Sequence, residues 1–376
     1  MTYYFRAYPV SLGDAFLVED RGFRFLVDGG LNKTEIGDLL LGDGITTLDL
    51  VICTHLDADH VNGILGILEG GEISVKALWV PEAWKEKIAV AASYREGLTR
   101  LASVAAGENG EGMRSFGAQR LSFEDVLRLE QPVRGRYGSG ENVAEADVAD
   151  ETLAEAENTV DEVLQRYGDN LVGGDVDTLS SLRIACNIIR FARRTGTEMT
   201  FWRYTDRLEL ARHDDFVSFN AEPTGTSSAT FIRTGVSGLA VFALSQINKE
   251  SLVFSYEPHE KAQIVFAADS GFNFLKAGAQ IIPELGPYSI MTAPHHGSAD
   301  PEHRRVYKAV AGQELCYVRS DNINQSRPGE AFLSIPNSYR FCTRCKYDET
   351  VQKVEFKYSR KRFRPASRPC PYADAG

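Results

Sequence analysis

Val51-Ile-Cys-Thr-His-Leu-Asp-Ala-Asp-His60 is an apolar run that ends directly in the pattern HxDxDH, placing four ligand-type side chains within six residues. In an extended chain alternate side chains share a side, so His55, Asp57 and Asp59 can converge, and a turn into a following helix brings His60 alongside. That helix is predicted over His60 to Leu68, because Val61, Ile64, Leu65 and Leu68 recur at helical spacing until Gly70-Gly71 stops the run. Any one of these acids alone is an ordinary solvated loop residue, and Asp59 is an acceptable helix cap. Together, at the end of a buried strand, they form a mixed set: imidazole suits zinc or iron, carboxylate suits harder cations such as manganese, and two divalent ions can sit close together.

Upstream, Tyr3 to Val10, Ala15 to Glu19, Phe23 to Val27 and Leu48 to Thr54 read as strands, with Val75 to Val80 after the helix. Gly13-Asp14, Asp20 to Gly22 and Asp28-Gly29-Gly30 supply turns. From Glu82 to Pro223 alanine-rich, charged segments replace the strands, with Leu153, Val160, Val163, Leu164, Tyr167 and Leu171 on one helical face. Residues 82–223 are therefore read as a largely helical insertion, a lid or partner-docking element. Strand character returns at Ala229 to Thr234, Leu239 to Leu244, Leu252 to Tyr256, Gln263 to Ala268, Ser289 to Ala293 and Cys316 to Arg319. Two strand-rich stretches, 1–81 and 224–341, flank the insertion and suit an α/β sandwich of two sheets face to face with helices outside. Residues 342–376 are read as a basic extension.

The chain has 376 residues, 43% of them hydrophobic, and a formal charge of -11. It is long enough for one large domain with insertions or two ordinary domains. With no apolar run long enough to span a bilayer and no basic-then-apolar leader, it is expected to be cytoplasmic and not inserted in a membrane. Six scattered cysteines are expected as reduced thiols. The acidic total argues against non-specific coating of nucleic acid. It conceals an asymmetry, however: Glu141 to Glu162 holds nine acids and no Lys or Arg, whereas Lys353 to Arg368 holds seven basic residues against the single acid Glu355. Lys357 to Arg364 interleaves aromatics with cations, a combination that stacks bases and neutralises phosphates, and an edge strand with alternating Lys and Arg would read the same way. Cys342-Thr-Arg-Cys345 has the spacing of half a zinc site, with Cys316 and Cys370 as conceivable completions; two buried thiols are the plainer reading.

Six motifs carry a resemblance to the metallo-β-lactamase superfamily, and within it to the ComEC-type branch, named after a DNA-uptake protein of competent bacteria. They are Leu12-Gly-Asp-Ala-Phe-Leu17, Val27-Asp-Gly-Gly30, Thr54 to Gly63, Asn248 to Val253, Phe266-Ala-Ala-Asp-Ser270 and Ala293-Pro-His-His-Gly-Ser298. The family's commoner pattern is HxHxDH, so Asp57 stands where a histidine would be, as it often does in the ComEC-type branch. The resemblance implies an αββα sandwich of two mixed sheets and two divalent ions, Zn or Mn. By it, His55 and Asp57 would bind the first ion, Asp59 and His60 the second, and Asp269 would bridge them. Relatives often supply a further histidine before the bridging aspartate; none is clear here, and Asn248 is the nearest motif residue. His296 aligns as the last ligand, leaving His295 as a ligand or a general acid. Asp28 looks like the family's carboxylate that orients a ligand histidine. His213, His259 and His303 lie outside every motif.

Two such ions, about 3.5 to 4 Å apart, would lower the pKa of a shared water, with Asp59 orienting the nucleophile and His295 protonating the leaving group. The resemblance points to a metal-dependent hydrolase, phosphodiesterase or nuclease on DNA or RNA before all. A hydrolase of a small ester, lactone or lactam is the rival, since the scaffold hosts many chemistries. A metal-stabilised assembly component that docks a protein partner through the insertion is the reading from a different class.

Overall fold

The structure, a computed structural model, describes residues 3–93, 95–106, 149–171, 173–205, 207–208, 210–224, 251–259, 262–275, 289–299, 303–304, 306–307, 315–322, 327–345, 349–360 and 362–371. Asn248, the strands expected at Ala229 to Thr234 and Leu239 to Leu244, and residues 141–148 of the acidic stretch lie outside these residues.

Sixteen strands are found among the described residues. They are β1 (Tyr3–Ala7), β2 (Phe16–Asp20), β3 (Phe23–Val27), β4 (Thr47–Ile52), β5 (Ser74–Pro81), β6 (Glu198–Tyr204), β7 (Ala211–His213) and β8 (Phe216–Ser218). The later ones are β9 (Ala221–Thr224), β10 (Phe254–His259), β11 (Ala262–Phe266), β12 (Ile290–Thr292), β13 (Cys316–Arg319), β14 (Arg340–Cys342), β15 (Val354–Ser359) and β16 (Arg362–Pro365). One sheet runs β16-β15-β1-β2-β3-β4-β5-β6-β9 and the other β14-β13-β12-β11-β10-β8-β7. Both are mixed: β3 to β6 are mutually parallel, as are β11 to β14, and the remaining pairs are antiparallel.

Alternation along the strands assigns side chains to layers. In β2, Phe16 and Val18 face one core while Leu17 faces another; in β3, Phe25 and Val27 oppose Leu26. The first set meets Phe254, Phe266, Ile290 and Val318 of the second sheet, forming an aromatic core between the sheets. Each of these buried side chains contributes about 1.5–3 kcal/mol, so the sandwich is held mainly by apolar contact rather than by its polar edge. Leu17, Leu26, Val51 and Leu78 instead pack against helices on the outside. Those helices are α1 (Glu35–Gly42), α2 (Ala58–Gly70), α3 (Ala83–Ser93), α4 (Arg95–Ala105), α5 (Asp150–Tyr167) and α6 (Gly173–Thr195). Phe332, in the one-turn α7 (Glu330–Leu333), packs with Val265, Met291 and Tyr317 behind the second sheet.

Two segments differ from their sequence reading. Among the described residues of 82–223, helices extend only as far as α6; Glu198–Tyr204 then adds a parallel strand beside β5, and β7, β8 and β9 follow. The strand is built because Phe201 and Trp202 are both buried, each against a different core. The basic tail supplies β15 and β16, which extend the first sheet from β1. Phe356 and Phe363 point into the intersheet core while Lys357 is exposed, the pattern of a solvated edge. Cys342, Cys345 and Cys370 share one cluster behind the second sheet, whereas Cys316 faces the intersheet core, so Cys316 does not complete that group. Burial and a hydrogen bond with Cys370 push the Cys342 thiol well up. No helix among the described residues is long and apolar enough to cross a membrane.

Candidate metal centre

The carboxyl ends of β4 and β11 and the loops after β1, β3 and β12 meet at one edge of the sandwich, and the motif residues gather there. Asp57 occupies the cap position of α2, in extended conformation, yet makes no capping hydrogen bond. Its carboxylate instead lies 3.6 Å from His55 Nε2. Asp59 sits in the first turn, where the helix dipole favours an acid, and its Oδ2 is 3.6 Å from His296 Nε2. Neither acid is spent on capping.

Close backbone approach pins these parts together. Gly29 N–H donates to the His60 carbonyl at 2.7 Å and Gly63 N–H to the Gly30 carbonyl at 2.9 Å. A Cβ on Gly63 would lie 1.9 Å from the Gly29 oxygen, and one on Gly13 would lie 1.6 Å from the Asp59 carbonyl oxygen. Only glycine fits at either place. Several residues carrying or adjoining the cluster are also left-handed without being glycine: Asp28 (φ 57°), Ala268 (φ 48°), His295 (φ 45°) and His296 (φ 54°). Such backbone persists only where the surroundings over-determine it, and it concentrates at functional sites.

The result is two facing groups that share Asp269. Asp269 Oδ1 is 3.4 Å from both His60 Nε2 and His296 Nε2. Its Oδ2 is 3.4 Å from His295 Nε2 and 3.9 Å from His55 Nε2. Behind the imidazoles, His60 Nδ1 donates to Asp28 at 2.8 Å and His296 Nδ1 to Asp14 at 3.0 Å. Asp28 is itself held by the Thr54 backbone N–H at 2.8 Å and hydroxyl at 2.7 Å. On the other side, the Thr54 hydroxyl lies 2.9 Å from His55 Nδ1, and Arg327 Nη2 donates to His295 Nε2 at 2.8 Å.

These partners fix where the lone pairs point. With Nδ1–H of His60 and of His296 each given to a carboxylate, both Nε2 atoms present lone pairs, only 3.3 Å apart and aimed at the same carboxylate oxygen. His55 Nε2 and Asp269 Oδ1 are buried with no hydrogen-bond partner. Such a convergence of donor atoms is able to hold a cation, and these residues fit divalent ions. Two sets meet the requirement for a shared ion, their donor atoms mutually within 4.8 Å: Asp14, His60, Asp269 and His296, and His55, Asp57 and Asp269.

The electrostatics point the same way. Burial disfavours a charged His60, yet Asp28 and Asp269 hold its pKa well above the ordinary imidazole range. His296 is likewise raised, to about 10, against burial, by Asp269 and Asp14. Burial would raise Asp269, but His296, His60 and His295 hold it well below the usual carboxylate range. His295 goes the other way: burial, opposed by Asp269 and helped by the Arg327 cation, pushes it down to about 4. Its Nε2 faces the Arg327 guanidinium at 2.8 Å.

All described motif residues thus come together: His55, Asp57, Asp59, His60, Asp269, His295 and His296, with Asp28 behind His60. Asn248 lies outside the described residues. His303 touches the cluster only indirectly, its ring centroid 5.1 Å from that of His295. Sequence reasoning missed Asp14, Thr54, Asp321 and Arg327. Asp14 stood inside a quoted motif, where a glycine-adjacent acid reads as a turn; Arg327 had no local signal at all.

Residues 8–121 match the family model Lactamase_B, the metallo-beta-lactamase superfamily. That stretch contains the HxDxDH segment and both carboxylates that back the imidazoles, Asp14 and Asp28. The two mixed sheets with helices outside are consistent with that superfamily's sandwich. Among solved structures, a mutant of the CmlA beta-hydroxylase aligns at 13% identity and a TM-score of 0.28, over 82% of this chain and 38% of its own. The chain thus spans well under half of that structure's length. No curated protein matches the chain.

Proposed function

We propose that the protein is a metal-dependent hydrolase holding two divalent ions, zinc or manganese, and that its substrates are phosphodiesters, DNA or RNA among them. The observation that carries the two-ion reading is Asp269, whose two oxygens face two separate sets of imidazoles. His55, Asp57 and Asp269 would hold one ion; His60, Asp59, Asp269 and His296 would hold the other. When bound, such ions polarise the bond to be cleaved and lower the pKa of water to near neutrality.

The chain's own residues do the rest. Asp28 and Asp14 fix the tautomers of His60 and His296, so that both Nε2 atoms keep a free lone pair. Asp59, about one-fifth exposed, faces the cluster's open side and can orient a water through its carboxylate. His295 Nε2 accepts the Arg327 N–H, so this ring holds the guanidinium beside the cluster; the leaving group then takes its proton from water. The resemblance to the ComEC-type branch supports nucleic acid as substrate, and the alternating Lys and Arg of β15 and β16 are a supporting basic surface.

The test is metal analysis of the purified protein together with hydrolysis of single-stranded DNA, RNA and a chromogenic lactam, each with added manganese or zinc. Metal content near two per chain and turnover of a nucleic acid are expected. Turnover of the lactam alone would replace this reading with the small-substrate one. Full function in cells with Asp59→Ala and His60→Ala variants that fold would favour the assembly role.

A further inference from the structure

We infer that Arg327 is the substrate-binding residue of this centre, gripping an anionic oxygen next to the bond that is cut; the inference rests on the phosphodiesterase reading and sharpens it. Arg327 places its guanidinium 2.8 Å from His295 Nε2, the ring atom that also lies 3.4 Å from Asp269 Oδ2. Its other arm is held by Asp321 Oδ2 at 3.1 Å. Asp321 is completely buried, left-handed at φ 99°, and accepts the Gly13 N–H at 3.0 Å through its second oxygen. Gly13 in turn abuts the Asp59 carbonyl. The guanidinium is therefore tied at two nitrogens to the frame of the cluster and is not a swinging surface side chain.

A guanidinium has five N–H donors in a planar fork. His295 and Asp321 take two, and among the described residues the remaining three have no partner, while the side chain keeps 16% exposure at the open side. A cation built beside a centre that gathers cations opposes their binding unless an anion comes between them. A neutral ester or lactam carbonyl offers no such anion before reaction. A phosphodiester carries one permanently on a non-bridging oxygen, and a planar fork matches that group. Asp321 is then a positioning residue, acting through Arg327.

The experiment uses the full chain loaded with manganese and compares wild type, Arg327→Met, Arg327→Lys and Asp321→Asn. Inorganic phosphate binding is measured by calorimetry, metal content by mass spectrometry, and steady-state hydrolysis with bis(para-nitrophenyl) phosphate and para-nitrophenyl acetate. For Arg327→Met, the phosphate Kd and the diester KM should rise about ten- to a hundredfold, the loss typical of one charge-assisted pair. Metal content should stay at the wild-type level and the diester-to-ester ratio should fall. Arg327→Lys should recover part of the affinity, and Asp321→Asn should raise KM more than it lowers kcat. If Arg327→Met binds phosphate and diester as wild type does, or loses its metal, the inference falls and the phosphodiesterase reading stands. If wild type binds no phosphate and cleaves only the acetate ester, that reading falls first and takes the inference with it. Should Arg327→Met fail to fold by circular dichroism, Arg327→Lys decides on the same two constants.

Discussion

The two halves of the centre are built from similar ligand types but set in different surroundings. In the inner half, His60 and His296 are fully buried and each is backed by a buried carboxylate, Asp28 or Asp14. In the outer half, His55 is backed by the neutral hydroxyl of Thr54, the cation of Arg327 occupies Nε2 of His295 itself, and the side chains of Asp57 and His295 are 30% and 21% exposed. A carboxylate behind an imidazole raises its basicity and strengthens it as a ligand; a hydroxyl does so weakly and a cation opposes it. The same donor atoms therefore make a tight inner site and a looser outer one.

Asp269→Asn should break the comparison altogether. With one charge gone from the residue common to both halves, both ions should be lost, and mass spectrometry should find metal content near zero in a protein still folded by its apolar core. Asp28→Asn and Asp14→Asn should act on the inner half alone, each lowering its affinity about ten- to a hundredfold; competition with a chromogenic chelator reads the two sites separately. Equal loss at both sites would mean that the halves are not distinct.

The pH dependence should sharpen the same contrast. In metal-stripped protein His296 has a folded pKa of about 10, above an unfolded value of about 6.5. Its stabilisation is therefore complete below the unfolded value and is lost as pH rises through the folded one. Tm of stripped protein should fall across that window, and saturating manganese, taking the proton's place, should flatten the slope. A parallel slope with and without metal would separate His296 from the inner site. The smallest effect is expected from Thr54→Val, which should weaken the outer site roughly two- to tenfold through the hydroxyl at His55, the scale of one neutral hydrogen bond. That hydroxyl also donates to Asp28, so a small echo at the inner site should accompany it.

Much of this was legible along the chain because it depends on local order. HxDxDH at the end of an apolar strand, followed by Gly63, is a short pattern whose spacing already brings its side chains together, and Asp269 after β11 was implied by the family resemblance. Strands β2 to β5 and helix α2 followed from periodicity. Less legible were β6, whose parallel seat beside β5 is decided by Phe201 and Trp202 filling separate cores, and β15 and β16, whose basic exterior hid Phe356 and Phe363.

The sequence by itself determined the HxDxDH segment, the strand-loop-helix unit that carries it and the expectation of a two-sheet sandwich, since residue type and period act over a few residues, while Asp269 and His296 entered through the family resemblance. Only the tertiary structure decided what stands behind each imidazole. Asp14 reaches His296 across 282 positions and Arg327 reaches His295 across 32, and such pairings are set by how the sheets pack, which no local pattern encodes.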